Sequence, residues 1–287
     1  MRNQFKGYVL GAIAAASYGM NPLFALPLYK AGLDTDSVLF FRYLFAIPLV
    51  GIMLKARGRD FKIVREEVPW LLVMGLLMAL SSLALFESYN FMDVGVASTL
   101  LFVYPIMVAL IMCLVFKEKL SMRILLCIIL ALGGIGLLYK TGSGATLSLT
   151  GSAWVFVSAL SYAIFLVGIN QSRLKDMPTL KMTFYVLLFG FTLFLFRLDF
   201  GRSLAYPHEW YLWANLLALA VFPTVISFLC TTSAVHYVGS TPTAILGALE
   251  PVTAVFIGVA MFGEDLTFRE SIGLVLIILA VTLVIAG

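Results

Sequence analysis

The sequence predicts an all-α membrane protein: ten transmembrane helices in two inverted five-helix repeats around a central cavity. Three observations predict it. First, only 12% of the 287 residues are charged and 62% are hydrophobic, with a mean hydropathy of +1.03. A soluble domain carries about 25% charged residues, so there are too few here to coat a globule in water. Second, the chain divides into ten apolar runs, most near the ~20 residues that span a bilayer core. Third, chosen residues of the first half recur in the second at nearly constant offsets.

The elements follow in order. Met1 to Lys6 is a short basic lead. The first span is Gly7 to Tyr29, interrupted at Gly19-Met20-Asn21-Pro22. Ala12 to Ser17 is rich in small residues, as in a secretory leader, but Gly7 to Ser17 has a match later in the chain. Ser37 to Leu54 is the second span and contains Arg42. A polar connection, Lys55 to Pro69, precedes the third span, Trp70 to Phe91. Val94 to Phe116 is the fourth and Met122 to Tyr139 the fifth. Thr141 to Thr150 is a Gly/Ser/Thr connector at the midpoint. The second half gives Ser152 to Gln171, Met182 to Leu198, Tyr211 to Ala234, Thr241 to Phe262 and Ser271 to Ala286. Trp70, Trp154, Trp210 and Trp213 fall at or near span ends, where an aromatic belt sits.

The repeat is read from spacing. Gly7 and Ser17-Tyr18 recur as Gly151 and Ser161-Tyr162, 144 residues on. Pro105, Glu118 and Leu120 recur as Pro251, Glu264 and Leu266, 146 residues on. Val94-Gly95 and Val238-Gly239 form a third pair, with the register slipping by two between it and the prolines. Five spans per half is an odd number, so the halves face opposite ways, the inverted repeat of secondary transporters. The chain reads as one transmembrane domain, 1–287, with repeats 1–143 and 144–287. Thirteen basic residues fall in connections on the side of the N-terminus and five on the other. That excess places both termini in the cytoplasm, with the chain in the cell (inner) membrane.

The two interrupted runs carry the chemistry. Ala244 to Leu266 holds Glu250-Pro251 near its middle, and Ser98 to Leu120 holds Tyr104-Pro105 in the matching place. An ionised group at mid-bilayer costs about 2.5–3.5 kcal/mol. Proline removes a backbone donor there. Both are tolerated where protein or water, not lipid, lines the spot. Glu250 therefore reads as a cavity carboxylate for a substrate amine or a proton, or as a structural acid beside loosened backbone. Glu87 and Asn90 share a helix face near Phe86 late in the third span. They read as a second acidic site or as a solvated vestibule. Arg42, the one basic residue within a span, could pair with Glu87 or Glu250, hold a substrate carboxylate, or anchor the outer surface. Tyr18, Asn21, Phe102, Tyr104, Tyr162 and Asn170 are candidate cavity walls or packing. Pro22, Pro105 and Pro251 mark the helix breaks.

Other chemistry finds no motif. Cys113, Cys127 and Cys230 sit in apolar runs without metal spacing. His208 and His236 have no metal partner at useful spacing. There is no phosphate loop, metal-binding His-Glu-x-x-His or nucleophile elbow. No cofactor, metal or catalytic residue is expected, and the chain is not expected to be an enzyme. The net charge of +4 is small and lies in loops, which gives nucleic acid no binding face.

LEPV at Leu249 to Val252 and FGEDL at Phe262 to Leu266, with VYPI at Val103 to Ile106, FKEKL at Phe116 to Leu120 and FRYLFA at Phe41 to Ala46, resemble the drug/metabolite transporter superfamily, in its EamA-type branch. The resemblance covers essentially the whole chain. It implies a cavity walled by spans 1, 3, 4, 6, 8 and 9, with spans 5 and 10 packed behind. It also implies secondary transport of a small metabolite, with an amino acid the first expectation and export the expected direction. Rocking of one half against the other would expose the cavity to each face in turn. One departure is that Tyr104 stands where the second half has Glu250. A passive facilitator or a drug and toxic-metabolite efflux protein is the alternative, followed by a lipid enzyme. The expected partners are the lipid bilayer, a small-molecule substrate and a coupling proton, in a monomer or homodimer.

Overall fold

A computed structural model of the chain describes residues 2–92, 97, 100–119, 121–138, 148–262 and 267–286. Val94-Gly95, Leu120, the 141–147 part of the connector, Glu264 and Leu266 lie outside the described residues. Every regular element among the described residues is helical. In lipid each backbone N–H and C=O must be satisfied within its own segment, which selects helix for an apolar run. Eight helical runs of at least 18 residues are apolar enough to cross a membrane, and Tyr104–Leu114 and Met122–Leu137 are shorter apolar helices. Together they occupy the ten predicted spans.

The first span is Arg2–Tyr18 and Asn21–Lys30, separated at Gly19-Met20. Thr35–Ala56 is the second, started by Asp34, whose carboxylate accepts from the Ser37 N–H at 3.0 Å. The third is Val68–Ser88, three residues shorter at its end than the sequence suggests. Tyr104–Leu114 belongs to the fourth and Met122–Leu138 is the fifth. Leu149–Gln171 and Thr179–Arg197 are the sixth and seventh. The eighth runs from Trp210 to Val238 with a π-helical segment, Ala220–Ile226, at its centre. The ninth is broken into Ser240–Leu246 and Leu249–Phe262. The tenth, Phe268–Ile285, opens on a capping box made by Thr267 and Glu270.

The breaks precede the prolines. Pro22 and Pro105 stand in the first turn of the segments that follow, and Pro251 is the third residue of Leu249–Phe262. A missing N–H costs nothing there, because first-turn donors have no partner within the helix. Proline thus starts the second segment after each break.

The inverted repeat is visible in side-chain detail. The fifth and tenth spans pack antiparallel and are tied at both ends. Arg123, second residue of the fifth, donates through Nε to the Leu283 carbonyl at 2.9 Å. Arg269, second residue of the tenth, donates through Nη2 to the Gly136 carbonyl at 3.1 Å. The two arginines stand 146 positions apart. Gly7 and Gly151 tell the same story. A Cβ on Gly7 would lie 2.7 Å from side-chain atoms of Tyr237 and Val238, and one on Gly151 would lie 2.5 Å from Met92 and 3.1 Å from Phe91. The partners are again offset by 146. The principal helix contacts join the halves: first with eighth, third with sixth and seventh, second with seventh, fourth with sixth and ninth. The halves are interleaved rather than side by side.

Candidate functional site

The two broken helices meet at their breaks. Tyr104, 1% exposed, donates from its hydroxyl to the Ala244 carbonyl at 3.1 Å. That carbonyl lies near the end of Ser240–Leu246 and also accepts from the Gly247 N–H at 3.2 Å. Gly247 follows in the break. A Cβ there would lie 1.6 Å from the Tyr104 hydroxyl oxygen, so only glycine leaves room for the phenol. The first span's break closes on the same place. A Cβ on Gly19 would lie 2.5 Å from the Glu250 carbonyl oxygen and 3.0 Å from Thr253.

Glu250 stands at this crossing. It is half-buried. Its carboxylate has neither hydrogen bond nor ion pair among the described residues. Tyr18, Tyr104 and Tyr162, from the first, fourth and sixth spans, all lie within electrostatic reach of it. The Tyr104 and Tyr162 rings pack edge to face, 5.0 Å apart. A half-buried acid with no internal partner, beside aromatic side chains, is suited to a ligand cation or a proton.

Arg42 also approaches Tyr18. The surface anchor considered from sequence is overturned: the side chain is 0% exposed. Arg42 pairs with neither Glu87 nor Glu250. Its Nε donates to Thr224 Oγ1 at 2.5 Å and its Nη2 to the Pro223 carbonyl at 3.2 Å. Its guanidinium lies 5.9 Å from the Tyr18 ring centre and 5.7 Å from that of Phe86. Pro223 explains the π segment. Proline gives no N–H to the Leu219 carbonyl, and the Thr224 hydroxyl takes that carbonyl at 2.9 Å. Arg42, Thr224 and Leu219 thus form one chain of donors and acceptors.

The remaining candidates scatter. Glu87, in the last turn of the third span, accepts from Asn90 at 3.1 Å and from Arg197 at 3.5 Å. Arg197 also holds Asp36 through two nitrogens, at 2.6 and 2.9 Å. Glu87 and the exposed Asn90 therefore belong to a rim cluster joining the second, third and seventh spans, apart from Glu250. Asn21 is 4% exposed, with the Tyr18 hydroxyl in reach of its amide. Phe102 packs 5.7 Å from Tyr104 and borders an apolar crevice with Ala131 and Ile135 of the fifth span. Asn170, at the end of the sixth span, neighbours Gly239 between the eighth and ninth spans. Sequence reasoning missed Thr224, Asp36 and Arg197. Pro223 in mid-span was the available signal for the first.

On the opposite rim, Lys181 binds Asp60 at 2.6 Å and the Lys62 carbonyl at 2.9 Å, and Arg173 pairs with Glu66. The Lys181 hydrogen bond holds the Asp60 carboxyl below the usual carboxylate range.

Inverted repeats, paired helix breaks and a polar centre where they cross define a multi-pass membrane transporter. The model of the EamA-like transporter family matches residues 5–140 and again 149–286, once per repeat. The chain belongs to the EamA-like transporter family. An Archaeoglobus fulgidus protein described as an uncharacterized transporter is 32% identical over 246 residues, 85% of this chain and 84% of that protein. A Synechocystis protein, also described as an uncharacterized transporter, is 27% identical, covering 86% of this chain and 78% of its own. One solved crystal structure superposes with a TM-score of 0.76 over 96% of this chain and 95% of the other, at 18% identity, a likeness of fold alone. The transporter assignment excludes the lipid enzyme.

Proposed function

We propose that the protein is a secondary transporter that exports a small amphipathic metabolite, first of all an amino acid, by alternating access. The observation that carries this reading is Glu250: a half-buried acid without an internal partner, at the crossing of the two breaks and beside Tyr18, Tyr104 and Tyr162. The acid takes the solute amine, and the tyrosines hold its apolar part. Because the halves are interleaved, the breaks at 19–20, 102–103 and 247–248 act as hinges, and segments on either side of them tilt. Both termini face the cytoplasm, in a cell (inner) membrane. A proton on Glu250 is the coupling ion, exchanged for the solute.

The test is flux through the full-length protein in liposomes. Glu250→Gln, inserted at the normal level, should lose most amino-acid flux and all uphill flux under an imposed proton gradient. Undiminished flux in Glu250→Gln and in Pro251→Ala ends this reading. Downhill flux that ignores the proton gradient makes the protein a passive facilitator instead.

A further inference from the structure

Arg42 is an unusual group to leave inside a membrane protein. It heads the large side chains that are fully buried, and it has no carboxylate partner among the described residues. A buried cation without a counter-ion is strongly unfavourable. Two of its nitrogens are used on Thr224 and Pro223, both uncharged acceptors. The third, Nη1, is buried and has no partner. A guanidinium offers two parallel donors to one carboxylate, a geometry that suits a bound acid better than a lone carbonyl. A second buried polar group stands beside Tyr18: Asn21, three residues on and 4% exposed, has only the Tyr18 hydroxyl in reach of its amide. The Arg42 guanidinium lies 5.9 Å from the Tyr18 ring centre, and Tyr18 is also within electrostatic reach of Glu250.

We propose that Arg42 Nη1 is the anchor for a carboxylate on the transported solute, so that the site selects molecules carrying both an acid and an amine. The assignment rests on the transporter reading of the same site. The acid lies on Arg42 and the amine on Glu250, with Tyr18 in reach of both. In the unliganded chain Nη1 is closed off, and the solute carboxylate supplies the missing counter-ion. Arg42 keeps its hold on Thr224 and Pro223 meanwhile, so the bound acid is tied to the π segment of the eighth span. Amines without an acid, such as cationic drugs, lack that tie and bind weakly.

The experiment compares ligands on the full-length wild-type protein in micelles, reading the shift in melting temperature against concentration. The probes are the common L-amino acids, their carboxamides and the corresponding deaminated acids. At least one amino acid should stabilise the protein, with its carboxamide weaker by about tenfold to a hundredfold, the worth of one charged hydrogen-bonded pair. Arg42→Lys should bring the acid-to-amide ratio near one, a change that a purely structural arginine would not produce. Where Arg42→Lys does not fold, the wild-type ratio decides. A carboxamide that binds as tightly as its parent acid overturns the anchor, and so does a panel in which no acid binds. Either result leaves the Glu250 flux test untouched, so failure of the anchor and failure of the transporter reading are separate outcomes.

Discussion

The Tyr104 hydroxyl reaches across 140 positions to donate to the Ala244 carbonyl, fastening the break in one half to the break in the other. The bond is buried, and its acceptor also takes the Gly247 N–H at 3.2 Å, so one carbonyl at the break serves both halves.

Tyr104→Phe should therefore lower stability by about 0.5–1.5 kcal/mol, the net value of one such bond. Gly247→Ala should cost more, since its Cβ would stand 1.6 Å from the phenol oxygen. In the double variant the clash is relieved, so the two effects should fall short of additive. Melting curves of all three proteins in micelles check this; strict additivity would contradict the contact.

Gly19→Ala tests the approach of the first span to the ninth. Its neighbour at 2.5 Å is the Glu250 backbone oxygen, which cannot rotate away. Overpacking of this kind costs about 1–3 kcal/mol. The substitution should lower the melting temperature and reduce flux together, because it displaces Glu250 itself. Normal flux would show that the gap at Gly19 is dispensable.

Thr224→Val should be worse than Thr224→Ser. Valine keeps the shape and the backbone bonds of the π segment but leaves Arg42 Nε without a partner. Such an orphan costs about 1–3 kcal/mol, more beside a charge. Serine preserves both bonds. Equal melting temperatures for the two variants would mean that the Arg42 chain contributes little.

Asp60 gives a prediction in pH. Lys181 holds its folded-state value below the ordinary 3.8, so the contribution is present above that value and lost as pH falls through the lowered one. The melting difference between wild type and Lys181→Met should stay constant from neutral to mildly acidic solution and shrink only in strong acid. A difference that shrinks near neutrality would assign the effect to another group.

Much of the fold was legible because lipid allows little else. An apolar run of sufficient length must be a helix, and Gly7 and Gly151 advertised the repeat that their contacts with Tyr237-Val238 and Phe91-Met92 display. The grouping of Tyr18, Tyr104, Tyr162 and Glu250 followed from the same duplication. The environment of Arg42 did not. Its position two turns into a span says how deep it lies, not which neighbour it faces, and that neighbour is set by a proline 181 positions away. Glu87 stands one residue from the end of the third span, which closes at Ser88 rather than at Phe91. The tie from Arg197 to Asp36 links helix ends 161 positions apart, which no local spacing records.

The paired grips of Arg123 and Arg269 carry a consequence for how this polypeptide stays assembled. Each half offers one cation and receives one, so neither depends on the peptide bond between them for its hold on the other. What the covalent join secures is stoichiometry: one upright copy for every overturned one.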